Sequence, residues 1–147
     1  IPEDLTLEYS STLSKECTVL SEVGSKTDAD LLSEEDWIRK MKAELEAGAW
    51  KVIAEARESG TIGIFDKDGN AKQTMISHIS EQIGNDNVLW EAPQKSQQVW
   101  FINQFGANVN LGNIAPHEVI PLETLRIGLR GDTFFDSLPE EIVAKFK

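Results

Sequence analysis

Three glutamates occupy the same place in three echoing segments: Val19-Leu20-Ser21-Glu22-Val23, Val52-Ile53-Ala54-Glu55-Ala56 and Val88-Leu89-Trp90-Glu91-Ala92. Each segment reads valine, aliphatic, variable, glutamate, small aliphatic. Side chains alternate between the two faces of a strand, so Leu20 and Glu22, Ile53 and Glu55, and Leu89 and Glu91 each share one face. The aliphatic lies deeper and the glutamate one layer nearer the strand's C-terminal end. In a parallel barrel that end is the mouth where active sites are built, so the pattern predicts three carboxylates converging on one rim. Carboxylates that close need cations. A Mg²⁺ ion meets the need with hard oxygen ligands, and Lys26, Arg57 and Arg130 could meet it with salt bridges instead.

The loops after these segments carry further polar groups: Gly24-Ser25-Lys26, Arg57-Glu58-Ser59-Gly60 and Pro93-Gln94-Lys95-Ser96. A lysine beside several carboxylates stays protonated, which suits it to donate a proton or hold an anion. A solvated loop lysine is the plainer reading of Lys26. A fourth segment, Asn110-Leu111-Gly112-Asn113-Ile114, is polar and glycine-containing where an apolar strand should simply turn. Loops of this kind late in a barrel hold phosphate through backbone N–H groups and a helix N-terminus, and Arg126 and Arg130 could add charge there. A turn braced by side-chain hydrogen bonds accounts for the same residues.

The elements that must position these groups alternate along the chain. Pro2, Glu3 and Asp4 open a helix with Leu5, Tyr9 and Leu13 on one side. Val19 to Gly24 reads as a strand. Ser33 caps a helix bearing Trp37, Ile38, Met41 and Leu45 that closes at Gly48. Lys51 to Ala56 reads as a strand, Asp66 to Asn70 as a turn, and Met75, Ile76, Ile79 and Ile83 as the apolar face of a helix ended by Gly84. Val88 to Ala92 is a third strand, followed by a helix with Val99, Ile102 and Phe105 that stops at Gly106. Val109 to Ile114 is a fourth strand, and helices follow over Leu122 to Leu129 and over Leu138 to Phe146, the last capped by Ser137. Strand and helix in alternation predict β-α-β units on a parallel sheet, an α/β fold in which this chain forms a single domain over 1–147. Four such units make half of a (β/α)₈ barrel, and their two open edges call for a missing N-terminal half or a partner, a homo-oligomer included.

Composition narrows the classes of function. A formal charge of −11 with scattered basic residues excludes a nucleic-acid partner as the natural reading. The single cysteine, Cys17, forms no internal disulfide, and the absence of a signal-peptide core or a long apolar run points to the cytoplasm and away from membranes. His78 and His117 share no metal-ligand spacing and read as ordinary helix or loop residues. Trp37, Trp50, Trp90 and Trp100 read as packing residues.

The chain also resembles a known family. The stretches Leu20-Ser21-Glu22-Val23-Gly24, Glu55-Ala56-Arg57-Glu58-Ser59-Gly60, Glu91-Ala92-Pro93-Gln94-Lys95, Asn110-Leu111-Gly112-Asn113-Ile114 and Leu125-Arg126-Ile127-Gly128-Leu129-Arg130-Gly131-Asp132-Thr133 resemble phosphosulfolactate synthase in content and order, from about Val19 to Phe134. The resemblance implies a TIM-type barrel, of which this chain supplies about the last four β-α units, since the family's first four strands have no counterpart here. It implies a cytoplasmic, Mg²⁺-dependent lyase-class enzyme joining sulfite to phosphoenolpyruvate to give (2R)-phospho-3-sulfolactate, a precursor of coenzyme M in methanogens and of sulfolactate elsewhere. Lys26 matches the family's acid lysine. The roles expected are Glu55 and Glu91, with Glu22 next, for the metal; Glu22 and Arg57 beside Lys26 in catalysis, Arg57 on sulfite or the substrate carboxylate; and Asn110, Gly112, Asn113, Arg130 and Lys95 for phosphate or other substrate groups. A related plant heat-stress-associated family has a different role, and Lys26 with Arg57-Glu58-Ser59-Gly60 sets this chain apart from it.

Overall fold

The computed structural model describes residues 1–24, 32–57 and 59–146. Helix α1 (Glu3–Leu13) leads into β1 (Leu20–Val23), and α2 (Glu34–Glu46), β2 (Lys51–Ala54), α3 (Gln73–Ile83), β3 (Val88–Glu91), α4 (Lys95–Phe105), β4 (Leu111–Gly112) and α5 (Val119–Arg126) follow in alternation. One further turn, α6 (Glu140–Val143), lies near the end. The four strands form one sheet in the order β1-β2-β3-β4, and every neighbouring pair is parallel. The α/β alternation expected from the sequence is therefore the observed fold.

One face of the sheet carries the core. Val52, Ala54, Val88 and Trp90 are fully buried there against Trp37 and Met41 of α2, Ile76 and Ile79 of α3, and Phe101 of α4. Trp90 stacks on Phe101 with ring centroids 5.3 Å apart and on Phe105 at 5.9 Å, so aromatic packing fixes α4 over β3. Ser33 accepts a hydrogen bond from the Asp36 N–H at 3.1 Å and starts α2 as its residue type predicts. The opposite face carries the glutamates; Leu20 on that face is 45% exposed, and Ile53 and Leu89 are only half-buried.

Several expectations change. Helix α1 buries Ser10 rather than its apolar residues: Tyr9 and Leu13 are exposed, and the Ser10 hydroxyl donates to the buried Glu44 carboxylate at 2.7 Å. The fourth strand shrinks to Leu111 and Gly112 because Asn113 turns the chain with φ of 56°. Ser137 does not cap the last helix; its hydroxyl donates to the Thr133 carbonyl at 2.8 Å and Pro139 stands at the N-cap. Trp50 is exposed beneath the Lys51 ammonium, 4.6 Å from the ring centroid, and packs no core. The β2-α3 connection is itself structured: Ala56 pairs with Gly63 and Phe65 with Ala71, and Ile64 and Phe65 are buried. The turn expected at Asp66 is present, with its carboxylate accepting from the N–H groups of Asp68 at 2.8 Å and Asn70 at 2.9 Å.

No helix among the described residues is long and apolar enough to cross a membrane.

Candidate active site

The strand register decides which glutamates meet. Glu22 aligns with Ile53, and Ile53 with Leu89, whereas Val23 aligns with Ala54, Ala54 with Trp90, and Glu91 with Gly112. Continued by one residue, that register places Gly24, Glu55, Glu91 and Gly112 in one row at the C-terminal end of the sheet. Glu22 shares their face but sits two residues lower, about 6.6 Å at the strand rise. The expected row of three carboxylates is thus a row of two with Glu22 beneath. Glu22 instead borders a cavity of about 170 Å³ that it shares with Lys40, Glu44 and the start of α1.

Glu55 is buried and leans toward β1, where only a glycine leaves it room: an ideal methyl on Gly24 would sit 2.5 Å from Glu55 Cβ and 2.8 Å from Oε2. Glu91 leans toward β2, and its Oε2 accepts the Ala56 N–H at 2.7 Å. Asn113 reaches across from the end of β4 and donates Nδ2 to the Ala56 carbonyl at 3.3 Å. Both backbone polar groups of buried Ala56 are thus met by side chains, as a buried backbone requires. Arg57, the next residue, is exposed at the rim. Lys26 and Ser25 lie outside the described residues.

The loop beyond Arg57 is held from α4. Gln94 Nε2 donates to the Ser59 carbonyl at 2.6 Å, and Gln97 Nε2 donates to the carbonyls of Gly60 at 2.8 Å and Gly69 at 3.2 Å. Gln97 and Gln98 are buried, and Gln98 Nε2 donates to the Ala92 carbonyl at 3.1 Å. These glutamines escaped the sequence reading. Their signal was spacing: each stands four residues before a buried apolar residue of α4, Phe101 or Ile102.

Other candidates lie elsewhere. Asn110 turns its amide back to the start of β3, donating to the Val88 carbonyl at 3.2 Å, at the end of the sheet away from Glu55 and Glu91. Helix α5 runs back toward that same end, where Arg126 hydrogen-bonds the Ala107 carbonyl ahead of β4 and burial pushes its guanidinium down from the ordinary value. Arg130 follows α5, exposed, and donates Nε to Thr124 Oγ1 at 2.9 Å. Lys95, beside Gln94 at the start of α4 and so at the same end of the sheet as the row, pairs with Asp132 at 2.7 Å, and that hydrogen bond holds the Asp132 carboxyl below its ordinary value. The row at the strand ends therefore gathers Glu55, Glu91, Gly112 and Asn113, with Arg57 beside it.

Among the described residues no three His, Cys, Asp or Glu side chains form a metal-holding group. Mg²⁺ asks for less than that, because it keeps several waters and takes one or two carboxylates together with substrate oxygens. Glu55 and Glu91, neighbours in one row, match that donor set.

The family model described as (2R)-phospho-3-sulfolactate synthase matches residues 1–132. Phosphosulfolactate synthase of Methanothermobacter thermautotrophicus is 53% identical over 118 residues, covering 78% of this chain and 46% of the relative. The synthase of Methanocaldococcus jannaschii is 54% identical over 119 residues (79% and 47%), and that of Bacillus subtilis 50% over 131 residues (86% and 52%). The chain spans about half the length of these curated relatives. With its alternating β-α units and its polar row at the strand ends, the chain belongs to the (2R)-phospho-3-sulfolactate synthase family.

Proposed function

We propose that this chain forms the C-terminal β-α units of a (β/α)₈ barrel that adds sulfite to phosphoenolpyruvate, giving (2R)-phospho-3-sulfolactate. The observation that carries the reading is the row of Glu55 and Glu91 at the C-terminal strand ends with Arg57 at its rim, in a chain of this family. In this reading the sulfite sulfur uses its lone pair to form a bond to the methylene carbon of phosphoenolpyruvate. The π electrons move onto the carboxylate as an ene-diolate, and the phosphate-bearing carbon then takes a proton from the Lys26 ammonium, which recovers one from solvent. Nothing leaves, so the product is the sum of both substrates and one proton. Glu55 and Glu91 would hold Mg²⁺ directly or through water, and the bound ion would supply positive charge where the carboxylate gains electrons. Arg57 binds sulfite or the substrate carboxylate through its planar donor fork. The Gly112-Asn113 turn offers backbone N–H groups to the phosphate. Glu22, one layer lower, contributes to the field around the row.

The sheet's glutamate face and its two edges, β1 and β4, support a barrel completed by further chain or by a second copy. The test is sulfite-dependent consumption of phosphoenolpyruvate by the full native polypeptide with Mg²⁺, followed by mass detection of the adduct. Loss of phosphoenolpyruvate at the same rate without sulfite rejects the reading.

A further inference from the structure

We infer that Asn113 and, besides its place at the metal, Glu91 position Arg57, acting through Ala56, whose carbonyl and N–H they hold. The inference rests on the role proposed for Arg57 and assigns a means by which that role depends on β3 and β4. The backbone ladder between β2 and β3 ends with Ala54 aligned to Trp90. Beyond it Ala56 is buried, and its N–H and carbonyl meet the Glu91 carboxylate at 2.7 Å and the Asn113 carboxamide at 3.3 Å. A carboxylate acceptor at this distance is a charge-assisted bond, stronger than the ladder bonds it extends. On the loop side, Ala56 bridges Gly63, whose φ of 85° and position admit no side chain: an ideal methyl would lie 2.0 Å from the Glu55 carbonyl oxygen. The chain direction entering Arg57 is thus set by three contacts, two of them polar side chains, one from the neighbouring β3 and one from just beyond β4.

Asn113 gives the cleaner probe because its φ of 56° suits glycine and aspartate as well. Asn113→Gly and Asn113→Asp both keep the turn and remove the donor. Glu91→Gln keeps an acceptor oxygen for Ala56, whereas Glu91→Ala removes it.

Two readouts decide the matter in the full native polypeptide. The first is hydrogen exchange of the Ala56 amide: Glu91→Ala is expected to speed it about tenfold or more, and Glu91→Gln to restore most of the protection. The second is the pattern of KM values. Arg57→Ala raises KM for one of sulfite and phosphoenolpyruvate; Asn113→Gly and Asn113→Asp should raise KM for that same substrate roughly tenfold with little change in kcat, and should add nothing in the Arg57→Ala background. Multiplicative losses in the double variants, or unchanged Ala56 exchange in Glu91→Ala, overturn the inference. A polypeptide without sulfite-dependent turnover sinks the proposed reaction, and the exchange comparison then decides the positioning of the peptide by itself.

Discussion

Gly24 stands level with Glu55 across the β1-β2 pair, and a methyl group at Gly24 would fall 2.5 Å from Glu55 Cβ, with Trp37 only 3.1 Å away on another side. Neither neighbour has open space to retreat into, since Glu55 and Trp37 are both buried. Gly24→Ala is therefore expected to destabilise the fold by about 1–3 kcal/mol, the usual cost of overpacking. Chemical denaturation with an unchanged slope and a lowered midpoint is the expected result; a midpoint equal to the parent's shows that the Glu55 row relaxes freely.

Lys26→Ala should lower sulfite-dependent turnover by roughly 10²-fold or more while leaving the free energy of unfolding within about 0.5 kcal/mol of the parent. In the proposed reaction Lys26 acts in the chemical step, so kcat should carry the loss and the KM for phosphoenolpyruvate should change little. Full activity in the variant removes the acid assignment.

Chelation of divalent ions should abolish turnover, with Mg²⁺ restoring it. Glu55→Gln preserves volume but removes the charge and replaces one acceptor oxygen with an NH₂ donor, so the Mg²⁺ concentration giving half-maximal rate should rise roughly tenfold or more. An unaltered Mg²⁺ dependence moves the metal away from the row.

His78 on α3 meets the Glu34 carboxylate on α2, and that hydrogen bond, aided by the charge of Glu34, raises the imidazole above its ordinary value. The sign follows from linkage: a group whose pKa is higher in the folded state stabilises it below the unfolded value of about 6.5, and the contribution fades as pH rises through the folded-state value. The His78 ring resonances should titrate above the free value in the parent and return toward it in Glu34→Gln. Identical titration midpoints in the two proteins dissolve the α2-α3 contact. Both side chains are partly exposed, so salt should also weaken the shift.

The sequence by itself determined the alternation of elements, the cap at Ser33, the turn at Asp66 and the shared face of each aliphatic-glutamate pair, because these depend on the local periods of strand and helix and on neighbouring side chains. Only the tertiary structure decided how those faces line up. Strand register is set by connections and helix packing dozens of residues away, and a two-residue offset in β1 lowers Glu22 beneath the row that Glu55 and Glu91 share. The same holds for side chains whose partners are distant in sequence. Asn113 and Glu91 stand out in the sequence by type and position, but only the fold shows that they also hydrogen-bond the buried backbone of Ala56, 57 and 35 residues away along the chain, since a backbone group removed from water must find a partner wherever the fold brings one.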